Sequence, residues 1–236
     1  PEYLSDVNIE IQEREPKVFT DGKTGTYIKI RKLSTNWSRG MLRNLHRSLT
    51  ALNSPFDSNQ SFKVVLKTDK TEWLEGLIRF KDIKEYALFE CDMKLEKNAI
   101  SKFEYYFRPY SVMQGVSKRK VIFDSPVIMR KRVIRNGKKT FEDIDLSEYK
   151  IGDIRIKIYA FDRDTSILNN FVSDKAAFKN YLDENGGISV FRDGMRILDY
   201  GEPDNDWLGL DLKRVNAPTK TLSNNIILGA VYLNRD

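Results

Sequence analysis

The chain has 236 residues, 40% hydrophobic and 31% charged, with 11 Tyr, 13 Phe and 3 Trp; this is enough apolar mass for a packed core and excludes a wholly disordered chain. With Lys+Arg 40 against Asp+Glu 34, the formal charge is +6, a surplus that permits nucleic-acid contact without demanding it. No apolar run reaches the length of a membrane span, no signal-peptide pattern opens the chain, and a single cysteine, Cys91, excludes an internal disulfide, so a cytoplasmic setting is expected.

Along the chain, the PEYLSD opening lacks an initiator Met, which fits an excised fragment and also fits processing or omission of the Met. Val7, Ile9 and Ile11 have the period-two spacing of a half-buried strand. Gly25-Thr26 opens TYIKIRKL, a second predicted strand. Ser34, Thr35 or Asn36 can cap a helix over 37–52. Its apolar stripe is Met41, Leu45, Leu49 and Leu52; Arg39, Arg43 and Arg47 form a second stripe, and Pro55 ends it. Short strands are then predicted at 62–67, 75–80, 86–94, 102–110, 119–124 and 127–134, rich in the Val, Ile, Tyr and Phe that favour pleated surfaces. Asn136-Gly137 marks a hairpin turn.

The second half alternates strands with helix. DIRIKIYAF (153–161) reads as a strand with one buried face, and 174–184 as a helix capped by Ser173 or Asp174. A hairpin over 188–200 turns at Asp193-Gly194. An acidic WLGLD turn and a basic loop over 215–223 follow. LSNNIILGAVYL (222–233) closes the chain as a strand, with Gly229 at a bulge or close approach. The predicted class is α+β: a β-rich mixed sheet with a few helices.

Several chemistries have fragments of a signature. Asp92-x-Lys94 on a strand is part of a nuclease pattern without its partner acid, and Asp204-x-Asp206 lacks the remaining ligands of a calcium loop. One Cys and one His, Cys91 and His46, cannot make a Cys/His zinc site, and no Gly-x-Ser-x-Gly elbow is present. Phosphate contact is expected of Arg39, Arg43 and Arg47, of Lys118, Arg119 and Lys120, and of Arg130 with Arg132. The aromatics from Phe103 to Tyr110 are better explained as sheet packing.

Two stretches carry a family resemblance: TGTYIKIRKL with the Trp-started helix and SPF after it, over 24–56, and the run over 153–236. Together they resemble the end of the nucleotide-binding domain, and the transducer module after it, of GHKL-type ATPases, the superfamily of gyrase B, the ninety-kilodalton heat-shock chaperone, MutL and the microrchidia group. The resemblance implies a remnant of the ATPase domain over 1–56 and a transducer-like middle domain over 57–236. It puts Gly25 and Thr26 beside the adenine pocket, and makes Lys220, in the Thr219-Lys220-x-Leu222-Ser223 string, the lysine that reaches the γ-phosphate, with Lys213 and Arg214 as rivals. There a helix follows the lysine loop, whereas here a strand is expected. The family's Glu-x-x-x-Asn helix, Asp-x-Gly-x-Gly turn and Gly-rich lid are absent from these residues. ATP and Mg²⁺ are therefore expected to be bound mainly by upstream residues, with the upstream ATPase domain as partner and a homodimer as a further assembly. The alternative is a non-enzymatic, basic nucleic-acid-binding β-rich module.

Overall fold

The computed structural model describes residues 13, 19–56, 64–123, 125–145, 152–217 and 221–233. The chain divides into two compact units, 1–38 and 39–236. In the first, a turn at Asp21-Gly22, both with positive φ, is closed by Lys23 N–H on the Thr20 carbonyl. The predicted TYIKIRKL strand does not form: the segment pairs with no strand among the described residues, and Ile28 and Ile30 are exposed. Period-two spacing gives a segment two faces, but a strand also needs a neighbour for its backbone groups. The Val7–Ile11 strand lies outside the described residues.

The second unit is a mixed sheet with helices. Helix α1 (Arg39–Ala51) starts later than predicted and buries Leu42, while Met41 is exposed, so the apolar stripe sits one residue round from expectation. The strand predicted at 75–80 is replaced, and residues 62–63 of the one predicted at 62–67 lie outside the described residues. Residues 64–67 alternate in burial but join no ladder. Residues 71–83 form a 3-10 turn (Thr71–Leu74) and a short helix, α2 (Phe80–Ile83). Gly76 at φ +73 reverses the chain there, and Asp82 accepts the Arg79 N–H, so Phe80 and Ile83 enter the core from helix rather than strand.

β1 (Phe89–Glu96) and β2 (Ala99–Phe107) form a hairpin, and β3 (Arg119–Phe123) pairs with β2. The strand predicted over 127–134 breaks at Met129. β4 (Val127–Ile128) stays on β2, and β5 (Arg130–Arg135) leaves the sheet to pair with β6 (Lys138–Asp143). Next come β7 (Ile154–Ala160), α3 (Thr165–Leu168), α4 (Lys175–Asn185), β8 (Gly187–Arg192), β9 (Met195–Ile197), α5 (Leu210–Asn216) and β10 (Ile227–Leu233). The sheet order is β3-β2-β1-β7-β10-β8-β9, antiparallel except that β8 and β10 are parallel. A parallel pair requires a crossover, and here it carries β9 and α5.

Alternation along β7 and β10 sends side chains to two layers. Tyr159, Phe161 and Leu228 meet Phe80, Ile83, Leu168, Phe178 and Leu182 on the helical face. Ala160 and Ile227 meet Ile188, Leu208 and Leu210 on the other. Gly229 lies opposite Ile188, and a Cβ there would sit 2.8 Å from Ile188 Cγ1, the close approach expected at that glycine. At the start of α4 the Asp174 carboxylate accepts the Ala177 N–H at 2.9 Å. Asp174→Ala should cost about 1 kcal/mol of stability by orphaning that donor. Urea unfolding checks this, and an unchanged midpoint would contradict the cap.

Candidate functional site

Three regions have the chemistry a site needs. The first is the crossover after β8. Trp207 Nε1 donates to the Ile188 carbonyl at 2.8 Å, and its ring meets Tyr200 edge-on at 5.2 Å between centroids. Asp206 accepts the Asp211 N–H at 2.8 Å. Asp211 in turn accepts the Asn224 N–H at 2.9 Å and the Ser223 hydroxyl. Predicted as an acidic turn, WLGLD is thus a clamp that starts α5 and holds it to the entry of β10. The predicted basic loop begins inside that helix, which runs to Asn216. Beyond it, Thr221 Oγ1 donates to the Ala217 carbonyl at 3.1 Å. Lys220 lies outside the described residues. Of its rivals, Lys213 donates to the Leu208 carbonyl at 2.8 Å, while Arg214 is exposed on α5.

Arg196 of β9 connects the turn at Gly201-Glu202 to the end of α1. Its N–H donates to the Leu52 carbonyl at 3.1 Å, and its guanidinium donates to the Gly201 carbonyl and pairs with Glu202, both at 3.1 Å. Burial pushes its pKa below the ordinary arginine value, opposed by Glu202.

The second region is the edge of the sheet. Tyr106, Phe107, Arg108, Lys118, Arg119 and Lys120 line a shallow pocket of about 240 Å³. Arg108 and Lys120 lie over the Tyr106 ring at 4.9 and 5.6 Å, and Arg108 also pairs with Glu90 at 2.6 Å. The volume is below the roughly 300–1,000 Å³ of small-molecule sites; the ring and its cations form a surface rather than a cleft.

The third region is the β5–β6 ribbon, which carries Arg130 and Arg132. β2 runs from Ala99, opposite Ile128, to Phe107, opposite Arg119. The ribbon and the 118–120 cluster therefore leave β2 at opposite ends, about 27 Å apart at the rise of a strand. The helix arginines do not join either. Arg43 donates to the carbonyls of Trp73 and Glu75, at 2.8 and 2.6 Å, and Arg47 pairs with Glu184 at 3.5 Å, so both hold α1 in place. Arg39 is exposed at the helix start.

The remaining signals resolve as structure. Asp92 is held by Arg155 at 3.0 Å and Lys157 at 3.8 Å, and Lys94 by Asp153 at 2.9 Å and by Glu96 of its own strand, so the Asp-x-Lys strand is a row of ion pairs. Among the described residues no group of His, Cys, Asp or Glu is placed to hold a metal. Burial, then Asp92, pushes the Cys91 thiol up, and burial lowers the His46 imidazole; both shifts favour the neutral group. Gly25 and Thr26 lie in the first unit, where a Cβ on Gly25 would meet the Phe19 ring at 2.4 Å.

No helix among the described residues is long and apolar enough to cross a membrane. Compared with family models, curated proteins and solved structures, the chain matches none.

Proposed function

We propose that the chain couples the nucleotide state of an upstream GHKL-type ATPase domain to conformational change or to action on a partner. One observation carries this reading: the α1 end of one resembling stretch packs against the other. Phe56 lies 5.1 Å from Tyr159, the Ser54 and Tyr232 hydroxyls are 2.5 Å apart, and Leu52 accepts from Arg196. Residues 89 to 143 contribute β1–β6 alongside. A displacement of α1 is therefore felt directly by β7, β9 and β10, because packed interiors transmit strain. Gly25, Thr26 and Lys220 are the residues through which the nucleotide would be touched, and ATP with Mg²⁺ would be held chiefly by upstream residues.

Titration calorimetry tests this division of labour. Residues 1–236 should show no ATP·Mg²⁺ binding, and the longer protein should bind. Micromolar binding by 1–236 would contradict a pocket that lies upstream.

A further inference from the structure

We propose that the β5–β6 ribbon is a DNA-binding arm that enters the major groove of a duplex. The ribbon, residues 130–143, carries six basic residues against two acidic ones, a net +4 in a chain of +6. Both acids are paired within the ribbon, Asp143 with Arg130 and Glu142 with Arg135. Among the described residues no carboxylate pairs with Lys131, Arg132, Lys138 or Lys139.

The register separates the two faces. Arg132 lies opposite Phe141 and Ile134 opposite Lys139, so these four share one face with the Arg130–Asp143 pair. All six residues of that face are exposed, Ile134 at 70% and Phe141 at 66%; the partly covered Val133, Thr140 and Glu142 all lie on the other. Two large apolar side chains held in water beside two cations suit base edges, where cations meet guanine acceptors and apolar groups meet thymine methyls.

Dimensions agree. Six residues per strand give a length of about 20 Å, and two strands about 4.8 Å apart fit the roughly 12 Å major groove of B-DNA. The deep, narrow major groove of A-form RNA would not admit them. The ribbon's base is fixed, with Met129 N–H on the Asn98 carbonyl and Ile144 N–H on the Met129 carbonyl. Its tip is the tight Asn136-Gly137 turn. The inference does not depend on the nucleotide-coupling reading.

The test is fluorescence anisotropy of the 236-residue chain with a labelled mixed-sequence 24-bp DNA duplex, titrated with KCl. Binding should weaken steeply with salt. Arg132→Glu with Lys139→Glu should weaken it by about tenfold or more. Ile134→Ala with Phe141→Ala should weaken it while leaving the salt slope unchanged, because no ionic contact is lost. Circular dichroism confirms that both variants are folded. Methyl green, a major-groove ligand, should displace the protein, whereas distamycin, a minor-groove ligand, should not. No DNA binding at 50 mM KCl, wild-type affinity in either double variant, or equal affinity for an RNA duplex or for polyglutamate would overturn the proposal.

Discussion

Under the nucleotide-coupling proposal, Lys220→Ala in a longer protein that carries the proposed upstream ATPase domain is expected to lower ATP turnover on the order of a hundredfold and to leave ATP binding nearly intact. A cation that meets the γ-phosphate only in the closed state stabilises the transition state more than the ground state. Loss of one such preorganised electrostatic contact costs about 2.7–4 kcal/mol in barrier height. Lys220→Arg should rescue little, because a planar fork does not replace a compact ammonium. Steady-state turnover and equilibrium ATP binding, measured together, separate this from a solvated turn residue. Wild-type turnover in the alanine variant would exclude Lys220 and shift attention to Lys213 and Arg214, both exposed on α5, of which Lys213 already donates to a backbone carbonyl.

Gly201→Ala should be the most destabilising small substitution in the crossover. Gly201 has φ +72, and a Cβ there would sit 2.5 Å from the Ile188 carbonyl carbon and oxygen and 2.6 Å from Ser189 N. Those are backbone atoms of β8 and cannot rotate aside. Left-handed backbone plus overpacking gives an expected loss of about 3 kcal/mol. Gly137 has the same backbone, φ +73, with nothing within 4 Å of its Cβ position. Gly137→Ala should therefore cost only about 1 kcal/mol. Urea unfolding of the two variants compares strain alone with strain plus collision. Equal losses would mean that β8 and the 201 turn do not approach as described.

Local signals were legible where one short segment fixes its own geometry. Asp193-Gly194 and Asn136-Gly137 turn as expected, with positive φ at all four residues. The 153–161 strand and the Asp174-capped helix need only their own periodicity. EGLIRF failed because a short apolar run with Phe80 suits a core-facing helix turn as well as a strand, and Gly76 decided between them. TYIKIRKL has no partner strand among the described residues. The parallel pairing of β8 with β10 could not be read, since it joins residues about forty positions apart. The Asp211 clamp spans 12 and 13 residues to Ser223 and Asn224 and has no local pattern. The three basic groups expected to meet phosphate lie apart, because β2 separates two of them and α1 keeps Arg43 and Arg47. The exposed face of the ribbon was within reach. Counting outward from Asn136-Gly137 places Ile134 opposite Lys139 and Arg132 opposite Phe141, a step that needs only the turn type.

Hydrogen–deuterium exchange on a longer protein that carries the proposed upstream ATPase domain, with and without a non-hydrolysable ATP analogue, tests the proposed coupling most directly. The Arg196 amide donates to Leu52 and so reports the joint between the α1 end and the β8–β9 hairpin. If nucleotide state passes through that joint, the analogue should change exchange at residues 49–56 and, in the same sample, at 187–197 and 224–233. Exchange that changes only upstream of residue 39, with 153–233 unaltered, would contradict a coupling role for this chain.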